Sequence, residues 1–413
     1  MKKALCLLAA LVLLAALPVF AAAPETDSPA VCLIEVSTGE LLYGKQENDP
    51  RPPASTTKMM TALLALKAIE KGELSLGQEI SVTQAAFADL WEDASTAGLK
   101  EGDRVTVEDL LAGILLPSGG DAANALAIAL AGSIADFAVE MNAEAARLGC
   151  ENTHFVNAHG LPAEGHVSSA YDLARILSEL LKYPDFLRIS GSETWTVPAN
   201  ETHPELRFSN TDEFLQSDSR WHDSTILAGK TGYTGSAGFC LATAASRNGM
   251  TLLCVTLGAD AVWDDSGRLV QTYADQSALY DWGFSTFEFA EVLNPQESAA
   301  SRPVTDGKVD SVELYPTESL RILVEKGVEP ERILELPDEL KAPLRKGEAV
   351  GKISIRSLDK DRGSVELAPR EDVEARFHFG PILAVLGGTA LLLILFVALA
   401  RTRARRKAKR GRK

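Results

Sequence analysis

The feature that most constrains this chain is a long uncharged run near its C-terminal end. The segment "GPILAVLGGTALLLILFVALA", Gly380–Ala400, has 21 residues and no charged side chain. A helix rises about 1.5 Å per residue, so this length matches a hydrocarbon core of about 30 Å. The sequence therefore predicts a transmembrane helix over residues 379–400.

The segment that follows sets the predicted orientation of this helix. "RTRARRKAKRGRK", residues 401–413, holds nine Lys or Arg and no acid. Such clusters stay on the cytoplasmic side of a membrane helix. We therefore expect a single-pass protein of the cell membrane, with an extracytoplasmic body and a cytoplasmic basic tail. A basic tail can also bind nucleic acid, but its place directly after the span favours anchoring, and no nucleic-acid partner is expected.

The other end of the chain carries the pattern of an export signal. Two lysines precede an apolar run, Ala4–Phe20, and small residues follow. This order is typical of a secretory signal peptide, which we predict over residues 1–23. Cleavage is expected after Ala21, with Ala23 as the alternative.

The body between these ends is strongly acidic. Without the signal and the tail, 30 basic residues remain against 57 acidic ones, a net charge of about −27. A body of that charge does not attract polyanions as a whole, so an anionic ligand requires specific local cations.

The cysteines of the body are predicted to be unpaired. Four remain once the signal is removed: Cys32, Cys150, Cys240 and Cys254. An exported protein could join them as disulfides, but the Asn-Gly pair that begins at Asn248 predicts a two-residue β-hairpin turn. In that register Cys254 lies opposite Thr243, and Cys240 points to the other face of the sheet. We expect small buried thiols, and their spacing does not match a metal site.

The order of elements predicts two folded domains. A strand hairpin, "AVCLIEVSTGELLYGK", comes first, helical patterns fill the middle, and strands return at 224–234 and in the Asn-Gly hairpin. We predict an α/β (α+β) domain over residues 24–290, with a sheet that joins both ends of the domain and is flanked by helices. Short alternating runs separated by Pro, Gly and charged turns predict a small all-β sandwich over residues 291–375.

Three short motifs in the larger domain could carry chemistry. The first is "PPASTTKMM", in which Ser55 and Lys58 lie three residues apart at the start of a predicted helix, on one face. A lysine can take the proton of a serine hydroxyl only when its ammonium form is destabilised, and the apolar run after Lys58 offers such an environment. The pattern alone also fits a helix cap and a solvated lysine. The same S-x-x-K spacing recurs at Ser357 and Lys360, where a strand is predicted to end.

The other two motifs are a loop serine and a strand lysine. Ser118 lies in "LLPSGGDAANALA", between two helical stretches, where an ordinary helix-start serine is the alternative. In "AGKTGYTGSAGF", Lys230 and Thr234 fall on one strand face with Gly232 between them. A glycine inside a strand allows another backbone to approach closely. The cation and the neighbouring hydroxyls could bind an anion.

Taken in order, S-x-x-K, a motif similar to S-x-N, and K-T-G resemble the serine enzymes that recognise penicillin. The longer stretches "PPASTTKMMTALLAL", "LKEGDRVTVEDLLAGILLPSGGDAANALA", "NTHFVNAHGLPAEGHVSSAYDLARIL" and "GKTGYTGSAGFCLATA" resemble the low-molecular-weight D-alanyl-D-alanine carboxypeptidases, a family of serine peptidases and penicillin-binding proteins. The likeness covers about residues 28–290, and the β domain and membrane anchor match the layout of that family.

The resemblance implies a mechanism and the residues that carry it. Ser55 would attack the carbonyl of the penultimate D-alanine in a peptidoglycan stem peptide, with Lys58 as the base. Ser118 would pass a proton to the leaving D-alanine. Lys230 and Thr231 would hold the terminal carboxylate of the substrate.

The resemblance also implies an oxyanion hole formed by the backbone N–H groups of Ser55 and Tyr233. Gly232, Thr234 and Gly120 would complete the substrate site. β-Lactams would acylate the same serine and inhibit the enzyme. No cofactor and no metal is implied.

Two positions depart from the pattern of the family. Gly120 stands where the second motif usually has asparagine, so one polar contact to the substrate is missing, and Asn124 could compensate or simply belong to the helix. Thr272 stands where many members have an arginine that supports the carboxylate, and Arg268 could substitute for it.

Three histidines, His154, His159 and His166, cluster in "THFVNAHGLPAEGH". Such a cluster could suggest a metal or a general base, but the resemblance implies that it shapes a loop beside the site.

Two alternatives to the carboxypeptidase remain at this stage. A β-lactamase needs a glutamate between the second and third motifs, whereas the "E-x-L-N" of this chain, Glu291–Asn294, follows both. A non-catalytic wall-binding protein would have lost efficient turnover through Gly120, although Ser55, Lys58 and Lys230 are intact.

Overall fold

Strands from the beginning of the larger unit pair with strands from its C-terminal part in one sheet, as the sequence predicts. A computed structural model describes residues 22–264, 267–377 and 380–410, so most of the predicted signal peptide lies outside the described residues. The chain divides into two units. One runs to Glu288 and includes Glu325–Gly327; the other consists of Phe289–Val324 and the chain from Val328 onwards.

The helices are, in chain order, α1 Lys58–Glu70, α2 Val107–Leu115, α3 Gly120–Ala131, α4 Ile134–Arg147, α5 Ala170–Leu180, α6 Pro184–Ser190, α7 Gln271–Thr286 and α8 Gly380–Arg410. The strands of the larger unit are β1 Ala30–Glu35, β2 Glu40–Lys45, β3 Glu79–Ser81, β4 Arg104–Thr106, β5 Thr194–Val197, β6 Leu206–Ser209, β7 Ile226–Thr234, β8 Gly238–Arg247, β9 Met250–Ala259, β10 Ala261–Asp264 and β11 Gly267–Val270. The remaining strands are β12 Phe287–Leu293, β13 Ala300–Thr305, β14 Ser311–Pro316, β15 Leu320–Glu325, β16 Glu331–Glu335, β17 Leu340–Lys341, β18 Gly351–Ser357 and β19 Lys360–Pro369.

The main sheet has the order β2-β1-β9-β8-β7, and its neighbouring strands are antiparallel. The turn between β8 and β9 has positive φ at Asn248 and Gly249, as a two-residue hairpin of this type requires. Thr243 pairs with Cys254, which confirms the predicted register. The four cysteines of the described chain are buried free thiols, as predicted.

Apolar side chains of the helices and of this sheet form one core. Helix α1 is buried on several sides, through Met59, Met60, Leu63 and Leu66, and therefore lies inside the unit rather than on its surface. The predicted break at "PSGGD" separates α2 from α3. Helix α6 and the small hairpin of β5 and β6 are elements that the sequence did not predict.

The second unit is all-β up to its last helix, as predicted. Six strands pair in the order β16-β18-β19-β14-β13-β17, and β12 pairs with β15. The core of this unit includes Leu314, Ile353, Ile355 and Leu367. Helix α8 contains a candidate membrane span, Val385–Arg405, and the helix continues into the basic segment beyond the predicted end of the span.

Candidate active site

The first motif lies on a tight turn that leads into α1. Residues Ala54–Thr57 form a 3-10 turn, and α1 begins at Lys58. The sequence suggested that Ser55 lies in the first turn of the helix. In the structure it precedes the α-helix and lies in the 3-10 turn. Ala54 has a positive φ of 47°, a conformation that costs an L-residue about 1–2 kcal/mol. Backbone strain of this kind concentrates at functional sites.

Lys58 is turned back toward the serine that precedes it. Its Nζ lies 2.9 Å from Ser55 Oγ and donates a hydrogen bond of 2.7 Å to the carbonyl oxygen of His159. The side chain of Lys58 is only 3% exposed, so the alternative of a solvated lysine is wrong. Burial lowers the pKa of Lys58 well below its ordinary value, and the charge of Lys230 lowers it further, although Asp121 opposes this shift. A buried amine of this kind favours its neutral form, which can accept a proton.

The loop that carries the His159 carbonyl is fixed by side-chain hydrogen bonds. The backbone N–H of Leu161 donates to Nδ1 of His159, so Nε2 carries the proton and donates to Asp89 Oδ2 at 3.0 Å. Gly160, with φ of 89°, has room for no side chain, because a Cβ would lie 1.9 Å from the carbonyl oxygen of Ala54. The His159 loop and the serine turn are thus in close backbone contact.

The other two histidines of this segment also bind its backbone or neighbouring side chains. His166 accepts a hydrogen bond from the N–H of Val156 and is 2.8 Å from Thr57 Oγ1. Burial lowers the pKa of His166 to about 4, with help from the neighbouring histidines. His154 donates from Nδ1 to the carbonyl oxygen of Gly165. These contacts are the loop-shaping role that the resemblance implied.

Ser118 combines an unusual backbone with an unused hydroxyl. Its φ is 67°, in the left-handed region, and the residue is 5% exposed. Its Oγ has no hydrogen-bond partner in the described part of the chain. An unpaired buried hydroxyl is costly, by about 1–3 kcal/mol, and is uncommon outside functional sites.

The K-T-G motif lies on β7, the edge strand of the main sheet, and faces the serine turn. A Cβ on Gly232 would stand 2.9 Å from the backbone N of Ser55 and 3.1 Å from that of Thr56. This confirms the prediction that Gly232 lets another backbone approach the strand. Because Gly232 has no side chain, the backbone N atoms of Ser55 and Thr56 can lie close to β7.

Lys230 is buried beside the cavity and is not among the described residues that form its wall. Burial lowers the pKa of Lys230 to about 7, and the Asp212 carboxylate opposes this shift. Burial raises the pKa of Asp212 in turn, also to about 7. The exposed side of the motif is formed by hydroxyls: Thr231 Oγ1 lies 2.5 Å from Thr211 Oγ1.

One cavity of about 390 Å³ collects most of the predicted site residues. Those in its wall are Ser55, Lys58, Ser118, Gly120, Thr231, Gly232, Tyr233 and Thr234. Sequence reasoning missed several others, namely Leu90, Trp91, Asp93, Thr211 and Tyr273. These come from irregular segments and a helix start with no motif of their own, so only the fold brings them to the site.

The two departures from the family pattern have different surroundings. Gly120 lies in the cavity wall. Asn124 is buried and donates to Ala86 O at 3.1 Å and to Asp89 Oδ1 at 2.7 Å, so its amide is bound to the neighbouring loop. Thr272 is buried and also lines the cavity. Arg268 falls in β11, and its side chain lies outside the described residues.

Comparison with known proteins gives consistent matches along the chain. Residues 18–261 match the peptidase S11 family, described as D-alanyl-D-alanine carboxypeptidase, and residues 287–375 match the C-terminal domain of penicillin-binding protein 5. The chain is 30% identical to the D-alanyl-D-alanine carboxypeptidase DacF of Bacillus subtilis, over 84% of this chain and 86% of the relative.

A second relative and a solved structure agree with these matches. Identity to the D-alanyl-D-alanine carboxypeptidase DacC of Escherichia coli is 31%, over 87% of this chain and 88% of the relative. The structure of penicillin-binding protein 5 from Haemophilus influenzae is similar with a TM-score of 0.63 and 27% identity, covering 85% of this chain and 98% of that one.

Proposed function

The chain belongs to the D-alanyl-D-alanine carboxypeptidase family of serine peptidases, and from this premise we propose that it removes the terminal D-alanine of peptidoglycan stem peptides through an acyl-enzyme on Ser55. The observation that carries the proposal is the buried Lys58 amine, 2.9 Å from Ser55 Oγ in the wall of the cavity. A base at that distance activates a serine that would otherwise be a weak nucleophile.

Acylation begins with proton transfer from Ser55 to the neutral amine of Lys58. The serine oxygen then forms a bond to the carbonyl carbon of the penultimate D-alanine, and the carbonyl electrons move to its oxygen. The backbone N–H groups of Ser55 and Tyr233 stabilise this oxyanion, a contribution of a few kcal/mol for each such donor. The carbon–nitrogen bond breaks as the proton passes through the unpartnered hydroxyl of Ser118 to the leaving amine.

Deacylation uses the same groups in reverse. Lys58 takes a proton from a water molecule, the hydroxide attacks the ester carbonyl, and Ser55 leaves with its proton restored. The products are free D-alanine and a stem peptide shortened by one residue.

We expect the end of the cavity near β7 to bind the terminal carboxylate of this substrate. The cationic form of Lys230, a buried residue of the same strand, supplies positive charge behind the cavity wall, and the hydroxyls of Thr231 and Thr234 supply hydrogen bonds at the surface. Gly232 keeps the strand close to the nucleophile. A β-lactam carries a carboxylate and a reactive carbonyl in a similar arrangement, so we expect penicillins to acylate Ser55.

We further propose that the protein is exported and anchored at the cell membrane by its C-terminal helix. The proposed division is a signal peptide over 1–23, a catalytic domain over 24–290, a β domain over 291–375, a membrane helix over 379–400 and a cytoplasmic tail over 401–413. The uncharged run, the basic tail and the candidate span support this orientation. The catalytic domain would then act on the cell wall, in peptidoglycan metabolism and the maintenance of cell shape.

The test is D-alanine release by the full-length protein in detergent from a diacetyl-Lys-D-Ala-D-Ala peptide, together with mass spectrometry of a penicillin adduct. We expect release and a slowly hydrolysed adduct on Ser55. Rapid turnover of the penicillin instead identifies a β-lactamase. Absence of both release and adduct identifies a non-catalytic protein.

A further inference from the structure

The glycine at position 120 is not required by its backbone conformation. Gly120 is the first residue of α3 and is not among the residues with positive φ. Its neighbour Gly119 differs, because a Cβ there would stand 2.7 Å from the N of Ala97 and 2.8 Å from the carbonyl oxygen of Gly113. Backbone atoms therefore exclude a side chain at 119, whereas the reason for glycine at 120 must be sought elsewhere.

The space above Gly120 is occupied by a leucine from another segment. A Cβ on Gly120 would stand 2.8 Å from Leu90 Cδ2 and 3.6 Å from Leu90 Cδ1, with the carbonyl oxygen of Ser95 at 3.5 Å. Gly120 and Leu90 both line the catalytic cavity. A longer side chain at 120 would need the volume that the leucine now fills.

The segment that carries Leu90 is anchored on both sides of that residue. Asp89, directly before it, receives hydrogen bonds from Asn124 Nδ2 and from His159 Nε2. After it, the carbonyl oxygen of Ser95 accepts a hydrogen bond of 2.9 Å from the N–H of Gly120 itself. These polar contacts at both ends hold the short stretch that carries Leu90 beside Gly120, and the Leu90 side chain fills the space next to the glycine.

We propose that the Leu90 side chain fills the space that a side chain at position 120 would occupy. Leu90 and Gly120 would then together form an apolar part of the cavity wall that selects among the acyl groups of substrates and inhibitors. This inference rests on the proposed function and deepens it. The same wall includes Trp91, which is half exposed, and Asp93. An apolar wall beside a carboxylate favours neutral, apolar acyl groups on the substrate or inhibitor and disfavours anionic ones.

The pairing is tested with a double-mutant cycle in the full-length protein. Gly120→Asn, Leu90→Ala and the double variant are compared by the rate of Ser55 acylation with labelled penicillin and by kcat/KM for D-alanine release. We expect Gly120→Asn to lower both by at least about tenfold, and Leu90→Ala by about threefold. The double variant should lie within about threefold of Leu90→Ala, since contacting residues are not additive. Losses that simply multiply overturn the proposal.

Specificity is read from two penicillins that differ only in their acyl group. One carries phenylacetyl, and the other has a carboxylate added to that group. The parent should prefer the first, and Leu90→Asn should reduce this preference by about threefold or more. An unchanged preference in Leu90→Asn overturns the specificity role.

Thermal unfolding separates this inference from the proposed function. Gly120→Asn should lower the unfolding midpoint more with leucine at 90 than with alanine, whereas Gly119→Ala should lower it equally in both backgrounds. Equal lowering by Gly120→Asn in both backgrounds overturns the pair. If the parent protein forms no adduct and releases no D-alanine, the proposed function and the specificity role are both overturned. The unfolding midpoints of the variants then still show whether Leu90 and Gly120 pack as a pair.

Discussion

Two regions of this protein carry the same S-x-x-K spacing and differ in everything else. At Ser55 and Lys58 the spacing falls on a 3-10 turn followed by a helix, and the lysine is 3% exposed. The amine reaches back to the serine hydroxyl and to the carbonyl oxygen of His159. The local geometry places a buried amine beside a partly exposed hydroxyl, so the two groups can exchange a proton.

The second copy of the pattern lies in the β unit. Ser357 ends β18, Lys360 begins β19, and the two residues pair across a hairpin turn. Lys360 is exposed, and Ser357 Oγ donates a long hydrogen bond of 3.4 Å to the carbonyl oxygen of Leu323. The S-x-x-K spacing alone therefore does not make a serine and a lysine into a catalytic pair. Burial beside a second cation lowers the pKa of Lys58, so that its amine can act as a base. An exposed hairpin does not offer Lys360 that burial.

Replacement of the two serines should give the largest contrast. We expect Ser55→Ala to lower D-alanine release by at least about 10⁴-fold, because removal of a nucleophile abolishes the covalent route. Ser357→Ala should stay within twofold of the parent. Release assays and penicillin labelling check both variants, and a persistent adduct in Ser55→Ala would exclude this serine as the nucleophile.

Replacement of the two lysines should give the next contrast. Lys58→Met keeps much of the apolar volume and removes the base, so kcat/KM should fall by about 10³-fold, within the usual range for a general base. Lys360→Met should have no measurable effect on activity. A Lys58→Met enzyme within tenfold of the parent would show that another group takes the serine proton.

The setting of the nucleophile can also be disturbed without changing either motif residue. Gly232→Ala places a methyl group 2.9 Å from the backbone N of Ser55, so strand or turn must move. A displacement approaching 1 Å can reduce activity about 10²-fold, and we expect a loss of that order in kcat/KM. Gly235→Ala is the matched control, since among the described residues no atom lies within 4 Å of its Cβ position. Equal effects of the two substitutions would contradict the close approach at Gly232.

Much of the fold could be predicted from local patterns in the sequence. The Asn-Gly turn set the register of the hairpin from the turn as far as Leu241, because a two-residue turn determines which residues pair next to it, and a register shift follows only between Phe239 and Leu241. The "PSGGD" break separated α2 from α3 because proline and glycine interrupt helical periodicity. The hairpin of β5 and β6 escaped prediction, since short strands with mixed polar residues carry a weak periodic signal.

The candidate site could be predicted only where chemistry and local pattern coincide. Ser55 and Thr231 stand in recognisable motifs, whereas Leu90 and Thr211 reach the cavity through tertiary packing alone. The burial of individual site residues also could not be predicted from the sequence. The sequence gives no means to tell that Lys230 lies beneath the cavity wall with a lowered pKa, because that depends on the surrounding fold.

The last expected effect concerns pH, stays below about tenfold near neutral pH, and sharpens the contrast between a buried and an exposed lysine. Burial lowers the pKa of Lys230 to about 7, so the cation that attracts the substrate carboxylate is present below that pH and lost above it. Because kcat/KM reports the free enzyme, it should begin to fall near pH 7 and approach a tenfold loss per unit above it, while kcat falls less. Lys230→Arg, which remains charged, should move this alkaline limb upward, and Lys360→Met should leave it in place. Profiles of kcat/KM from pH 6 to 9 test this, and a parent profile that is flat to pH 9 would show that the neutral lysine binds the substrate equally well.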